Sequence, residues 1–314
     1  MNTSKIALFI LAFALAIACR KTETPPPAAN GNFTTVEAFL AQNAPALQTY
    51  TIDATTGGSF TSPQGTKVII PANAFINPAN QPVSGNVTIT FKDLYKKSDM
   101  LFADVSTALI WGAPLKSAGE FFIKAVKDDM NLNLANGKFI NIEQPAALTG
   151  GLDNINIMAP FAVQDSVTKR GGWTPDPLDS VKYGVDKYIF SMYRFKTPLD
   201  SGSWCNSDNS TYFNGYTQTL LTLKPTDKID SFKTSVYLVF KNITSMVHVY
   251  DDNTNFPYSF APVGLQCTMV AIGVNKGNLY SAFVPITISA NQVVNFTLSK
   301  TTASDFKAQL KALD

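Results

Sequence analysis

Residues 267–288 read CTMVAIGVNKGNLYSAFVPITI. Two runs rich in β-branched and aromatic residues flank Asn275-Lys276-Gly277-Asn278. Asparagine and glycine accept the positive φ that a tight hairpin turn demands, so the stretch is expected to form two antiparallel strands. The same texture recurs on both sides. LQTYTIDA (47–54), TKVIIP (66–71), GNVTITFKDLY (85–95), GEFFIKAV (119–126) and KFINIE (138–143) come before it. KYIFSMYRF (187–195), YTQTLLTLK (216–224), TSVYLVFKN (234–242), SMVHVY (245–250) and VVNFTLS (293–299) complete the set. Gly, Pro, Asn or Asp separates them at intervals of about ten residues, the rhythm of a sandwich or barrel. The expected fold class is all-β: two β-sandwich domains with short terminal helices.

Helical signals lie at the ends of the folded part. In TTVEAFLAQ (34–42), Thr34 or Thr35 supplies a cap, Glu37 complements the first turn, and Val36, Phe39 and Leu40 share a face. In TTASDFKAQLKALD (301–314), Thr302 and Asp305 stand in capping-box spacing, with Phe306, Leu310 and Leu313 on one face. Between the two strand series, DSVTKRGGWTPDPLDSVKYGVD (165–186) is polar and rich in Gly and Pro. The expected divisions are a first sandwich over 34–150, a junction over 151–187 and a second sandwich over 188–314.

The N-terminus indicates where the protein works. Met1–Ala18 reads as a secretory signal, with Lys5 ahead of an apolar run from Ile6 to Ala18. That run is shorter than the roughly 20 residues a spanning helix needs. Leu15-Ala16-Ile17-Ala18-Cys19 resembles a bacterial lipobox, which implies lipid attachment to Cys19 and cleavage before it. The alternative is an ordinary signal with a chance cysteine. Residues 19–33 carry Pro25-Pro26-Pro27 and are expected to act as a semi-rigid tether. Arg20 in place of aspartate resembles outer-membrane delivery over inner-membrane retention. Periplasm-facing and surface-exposed placements both stay open.

One segment also carries a family resemblance. Gly57-Gly58, Gly65-Thr66, Ile70-Pro71 and Ala74-Phe75, within GGSFTSPQGTKVIIPANAF (57–75), resemble the ZU-type domain shared by ankyrins, netrin receptors and zonula-occludens proteins. Similar segments occur in bacterial outer-membrane lipoproteins. The resemblance spans roughly residues 48–145 and implies an Ig-like or ZU-like β-sandwich that serves as an interaction module. The His-Phe-Ser motif of the family's self-cleaving branch is absent, so that chemistry is not carried over. GSWCNSDNSTYF (202–213) resembles the companion region of such lipoproteins.

Composition narrows the functional classes. The net charge is +2, and no Lys/Arg stripe offers nucleic acid a footprint. One histidine and three cysteines, one of them expected to be acylated, exclude a zinc ligand set from this chain, and no cofactor is expected. His248, on a predicted apolar strand, reads as a packed residue more readily than as a catalytic base. Asp251-Asp252-Asn253-Thr254-Asn255 begins like an EF-hand loop, but Phe256 stands where glycine is needed and Pro262 where glutamate is needed. Asn206, Asp208 and Ser210 make a similar weak case. Cys205 and Cys267 remain as a disulfide in an oxidising compartment or as two buried thiols. Trp173, Trp204, Tyr212 and Tyr216 are candidate stacking aromatics, the alternative being core packing. The expected function is a lipid-anchored cell-envelope binding or scaffolding protein without catalytic activity. Its partners would be outer-membrane lipid through Cys19 and a glycan or protein ligand. The alternative is a glycan-active hydrolase using a carboxylate pair that the sequence does not single out.

Overall fold

The structure, a computed structural model, describes residues 33–151, 158–163, 172–196, 202–227 and 233–314, with only the backbone for 158–163. The signal, Cys19 and nearly all of the tether lie outside the described residues.

In chain order the first half holds β1 (Gln48–Asp53), β2 (Gly58–Thr61), β3 (Lys67–Ile70), β4 (Phe75–Ile76), β5 (Asn86–Leu94), β6 (Lys116–Lys127) and β7 (Met130–Asn131). These are followed by β8 (Asn133–Leu134), β9 (Ile140–Pro145), β10 (Met158–Val163), β11 (Trp173–Pro175), β12 (Ser180–Gly184), β13 (Lys187–Met192) and β14 (Ser203–Asn209). One sheet runs β1-β5-β6-β14-β10-β11, with β7 beside β6, and a second runs β12-β13-β9-β3-β2. Their facing side chains form one core, with Val87, Ile89, Phe91, Phe121 and Ile123 opposite Val68, Ile70, Ile140, Ile142, Phe190 and Met192. Of the glycines that carry the family resemblance, Gly57 and Gly65 have positive φ, whereas Gly58 opens strand β2.

The second sandwich comprises β15 (Gln218–Pro225), β16 (Lys233–Phe240), β17 (Met246–Val249), β18 (Phe256–Pro262), β19 (Gln266–Asn275), β20 (Asn278–Thr287), β21 (Val293–Phe296) and β22 (Ser299–Thr301). Its sheets run β18-β15-β21 and β17-β16-β19-β20-β22. The molecule is therefore an all-β sandwich protein. The 267–288 hairpin forms in the expected register. Asn275 pairs with Asn278, and Lys276 and Gly277 both have positive φ, the signature of a type I′ turn.

The expected division of the chain needs correction. β13 and β14 belong to the first sandwich, because β13 pairs with β9 and β14 with β6. Strands of the second sandwich begin at Gln218, not at 188. The polar stretch 165–186 contains two edge strands of the first sandwich, β11 and β12. An edge strand faces solvent along one side and carries polar residues for that reason, so a polar stretch need not be a linker.

The helices join the two sandwiches. α1 (Val36–Asn43), α2 (Lys97–Phe102) and α3 (Ala303–Lys311) pack in a third core against Tyr237, Val239, Val270 and Ile272 of the second sandwich. Phe122 and Trp204 of the first sandwich enter the same core. Phe39 and Phe306 meet at 5.6 Å between ring centroids, and Phe102 and Phe306 at 6.1 Å, all edge-to-face. Burying such a ring contributes roughly 1.5–3 kcal/mol. Both expected caps are present. Thr35 Oγ1 accepts from Ala38 N at 3.1 Å, and Thr302 Oγ1 accepts from Asp305 N at 3.0 Å. Among the described residues no helix is long and apolar enough to cross a membrane.

Candidate functional site

An aromatic site is built on the loop between α2 and β6. Thr107 fastens this loop to β17: its N–H donates to the Met246 carbonyl at 2.7 Å, and its Oγ1 accepts from Met246 N at 2.7 Å. His248 N donates to Ser106 Oγ at 3.1 Å. The tip is closed by Leu109 N to Ala113 O at 2.8 Å and Gly112 N to Leu109 O at 2.7 Å. Ile110 and Trp111 occupy the two corner positions of that turn. Trp111 is 54% exposed, an unusual place for a side chain with so much apolar area.

Beside the tip lies a cavity of about 290 Å³, whose lining includes Trp111, His248, Tyr250, Tyr258 and Phe260. Tyr250 is 47% exposed. Tyr258 donates its hydroxyl to the Gly112 carbonyl at 3.1 Å, which fixes its ring as a wall. His248 is stacked between Tyr237 and Tyr250, each at 4.6 Å, and its Nδ1 lies 3.7 Å from Asp104 Oδ1. Ser106 and Ser259 add hydroxyls to the lining. Flat rings with a few hydrogen-bonding groups, in a shallow open cavity, suit recognition of a neutral ligand with an apolar face.

The aromatic residues singled out in the sequence are placed differently. Trp173 is fully buried beneath the loop. It supports the tip, with its N–H donating to Ala108 O at 2.8 Å and its Nε1 to Ser106 O at 2.6 Å. Trp204 is 4% exposed and packs on Phe122 at 5.5 Å. Neither ring is open to a ligand. Tyr212 and Tyr216 are half-buried against the second core and line neither cavity. Lys116 Nζ lies over the Tyr212 ring, 4.9 Å from its centroid.

Of the two readings of the cysteines, the structure shows the buried thiols. Cys205 and Cys267 are both free and buried, the first in the core of the first sandwich and the second in that of the other. Strands of separate sandwiches hold them apart. Burial raises both thiols, Cys267 to about 12. Buried thiols of that kind are inert.

Carboxylates gather elsewhere. Among the described residues, a larger cleft of about 840 Å³ between the sandwiches is lined by a single carboxylate side chain, that of Asp314. Glu120 and Asp208 are buried and line neither cavity. Asp208 belongs to the 202–213 segment, where every residue of β14 is buried. Asp208 Oδ2 accepts from Asn206 Nδ2 at 2.6 Å, Asn206 Oδ1 accepts from Ser117 Oγ at 2.8 Å, and Ser117 N donates to Thr244 O at 2.8 Å. Burial holds the Asp208 carboxyl well above the usual carboxylate range, while Ser117 and Asn206 oppose the shift. This polar layer lies where the β16–β17 connection crosses the first sandwich. The Asp251–Asn255 stretch closes on itself, with Asp252 Oδ1 accepting from Thr254 N at 3.0 Å and Asn255 N at 2.7 Å. Among the described residues no group of three or more His, Cys, Asp or Glu is assembled as a metal site.

No family model matches the sequence, and no match is found among curated proteins. Among solved structures, the chain is similar to BcpA, the major pilin subunit of Bacillus cereus, at 10% identity. That alignment covers 82% of this chain and 100% of the pilin with a TM-score of 0.18, a score that carries nothing over to the present fold or function.

Proposed function

We propose that this chain is a non-catalytic binding protein of the cell envelope, held at the outer membrane through Cys19, and that the Trp111 cavity takes a neutral glycan. The exposed Trp111, beside an aromatic cavity lined among the described residues by no Asp, Glu, Lys or Arg, is the observation that carries this reading. A pyranose ring offers a C–H face that stacks on an aromatic ring, and hydroxyls for Ser106, Ser259 and His248. The resemblance to a ZU-type interaction module and to a lipobox supports the location and the absence of chemistry.

Tryptophan fluorescence tests the site directly. The chain has three tryptophans, and Trp173 and Trp204 are buried, so a ligand that alters emission reports on Trp111. Titration with neutral oligosaccharides is expected to give a saturable change. Trp111→Ala is expected to weaken binding by about 2 kcal/mol, the level of an interface hot spot, with an unchanged melting curve. Binding of equal strength in the variant would remove Trp111 from the site, and failure of the whole oligosaccharide series to bind would remove the glycan. The anchor is tested by detergent-phase partitioning: wild type should enter the detergent phase, and the Cys19-to-Asp314 part carrying Cys19→Ser the aqueous phase. Identical partitioning of the two into the aqueous phase would rule the anchor out.

A further inference from the structure

The 840 Å³ cleft between the sandwiches has a different character from the aromatic cavity. Lys96 and Lys97 stand at the start of α2, Lys116 at the start of β6 and Lys241 just past β16, and all four line the cleft. Among the described residues the one side-chain carboxylate in this lining is that of Asp314, which is already engaged. Its Oδ1 accepts from Ser98 N at 2.8 Å and its Oδ2 from Ser98 Oγ at 2.7 Å.

Lys97 is the informative residue. It is 7% exposed, and its Nζ donates to the Phe240 carbonyl at 2.8 Å. Among the described residues no carboxylate reaches it within salt-bridge distance. Burial holds its ammonium below the ordinary lysine range, with the charge of Asp314 opposing that shift. A buried cation with no carboxylate in direct contact is an unfavourable element of a fold, and an anion arriving in the cleft would supply one.

We propose that this cleft binds a phosphate-bearing organic ligand, with Lys97 as the buried anchor and Lys96, Lys116 and Lys241 closing around its charge. Lysine acts on phosphate as a point charge, and among the described residues no arginine lines the cleft to offer a planar two-pronged contact. Among the described residues lysines outnumber carboxylates in the lining, which suits a multiply charged group. Ile243, Ile286 and Leu313 contribute apolar wall, so the remainder of the ligand is carbon-rich. This site is separate from the Trp111 cavity and does not depend on its reading.

The test uses residues 19–314 with Cys19→Ser, so that neither the signal nor an acyl anchor contributes. The probes are inorganic pyrophosphate and, separately, phosphatidylcholine vesicles with and without phosphatidic acid. Saturable binding that weakens with added salt is expected. Lys97→Met should weaken it about tenfold or more, the loss that goes with one charge-assisted hydrogen bond. Lys241→Gln, at an exposed position, should weaken it severalfold, and Lys276→Gln at the distant hairpin tip should leave it unchanged. Binding of free pyrophosphate would identify a soluble phosphate ligand. Lysine-dependent co-sedimentation with phosphatidic acid vesicles alone would identify a lipid headgroup. If neither probe binds, or if binding is unchanged in both Lys97→Met and Lys241→Gln, the proposal is overturned.

Discussion

Lys196→Met is expected to lower the free energy of unfolding by about 3–5 kcal/mol, the usual cost of stranding buried charge. Lys196 Nζ lies 2.5 Å from Asp176 Oδ2 and 2.5 Å from Asp179 Oδ2, and all three residues are buried. The only other cation in reach among the described residues is Arg194, 3.6 Å from Asp176 and half exposed. The triad pins the β11–β12 turn to the segment following β13. Asp176 Oδ1 accepts from Leu178 N at 3.0 Å, Asp179 Oδ1 from Tyr193 N at 2.8 Å, and Lys196 N donates to Ser203 Oγ at 2.7 Å.

The pH dependence of that loss has a definite sign. In the wild type, burial pushes Asp176 up, but the hydrogen bond and charge of Lys196 outweigh it and hold the carboxyl below its ordinary range. Burial keeps Asp179 above its ordinary range even beside Lys196. Without Lys196, burial dominates for both, so both folded-state values rise above the unfolded one. A raised carboxyl binds more protons when folded, so the variant loses stability as pH rises above about 4. The deficit should therefore narrow on acidification. Urea unfolding at several pH values measures it, and adding Asp176→Asn and Asp179→Asn should restore most of the loss at neutral pH. A single-variant deficit below about 1 kcal/mol would mean that the triad behaves like a surface ion pair.

What could be read from the sequence divides along a physical line. The Asn275–Asn278 turn and the Thr35 and Thr302 caps depend on neighbours a few residues away, and all three form as expected. α2 has no such local signature. Its N-cap, Lys96, makes no side-chain cap bond, and the first turn is held by Asp314 through Ser98, 216 residues apart in sequence. β11 and β12 are edge strands whose polarity reads as loop. The tryptophans invert for the same reason. Trp173 and Trp204 sit in polar stretches that suggest exposure, whereas Trp111 sits in ALIWGAPL (108–115), which suggests core. Only the strands that close over the first two, and the tight turn that lifts the third, decide which ring meets solvent. The Lys97 cleft draws its four lysines from three separate chain segments, so no local spacing announces it.

Gly172→Ala is the variant expected to damage the candidate glycan site most through the backbone. Gly172 has φ +77°, and a Cβ there would lie 2.4 Å from Ala108 O and 2.7 Å from Leu109 C and O. These are backbone atoms, so no change of rotamer relieves the overlap, and the 108–112 turn must move. That turn is tied to the next residue in both directions, with Trp173 N donating to Ala108 O at 2.8 Å and Ile110 N to Trp173 O at 3.1 Å. The left-handed conformation costs a side chain about 1–2 kcal/mol, and each strained or broken hydrogen bond adds about 1 kcal/mol, so a loss of about 3 kcal/mol or more is expected. Gly137→Ala supplies the control. Its φ is +74°, but nothing lies within 4 Å of the added atom, so only the conformational cost of about 1–2 kcal/mol applies. The difference between the two variants in urea unfolding isolates the clash. If Gly172→Ala proves no worse than Gly137→Ala, the turn yields freely and does not hold Trp111 in place. If it is worse, and oligosaccharide-induced fluorescence change is lost under conditions where the variant remains folded, the rigidity of the turn is what presents Trp111 to its ligand.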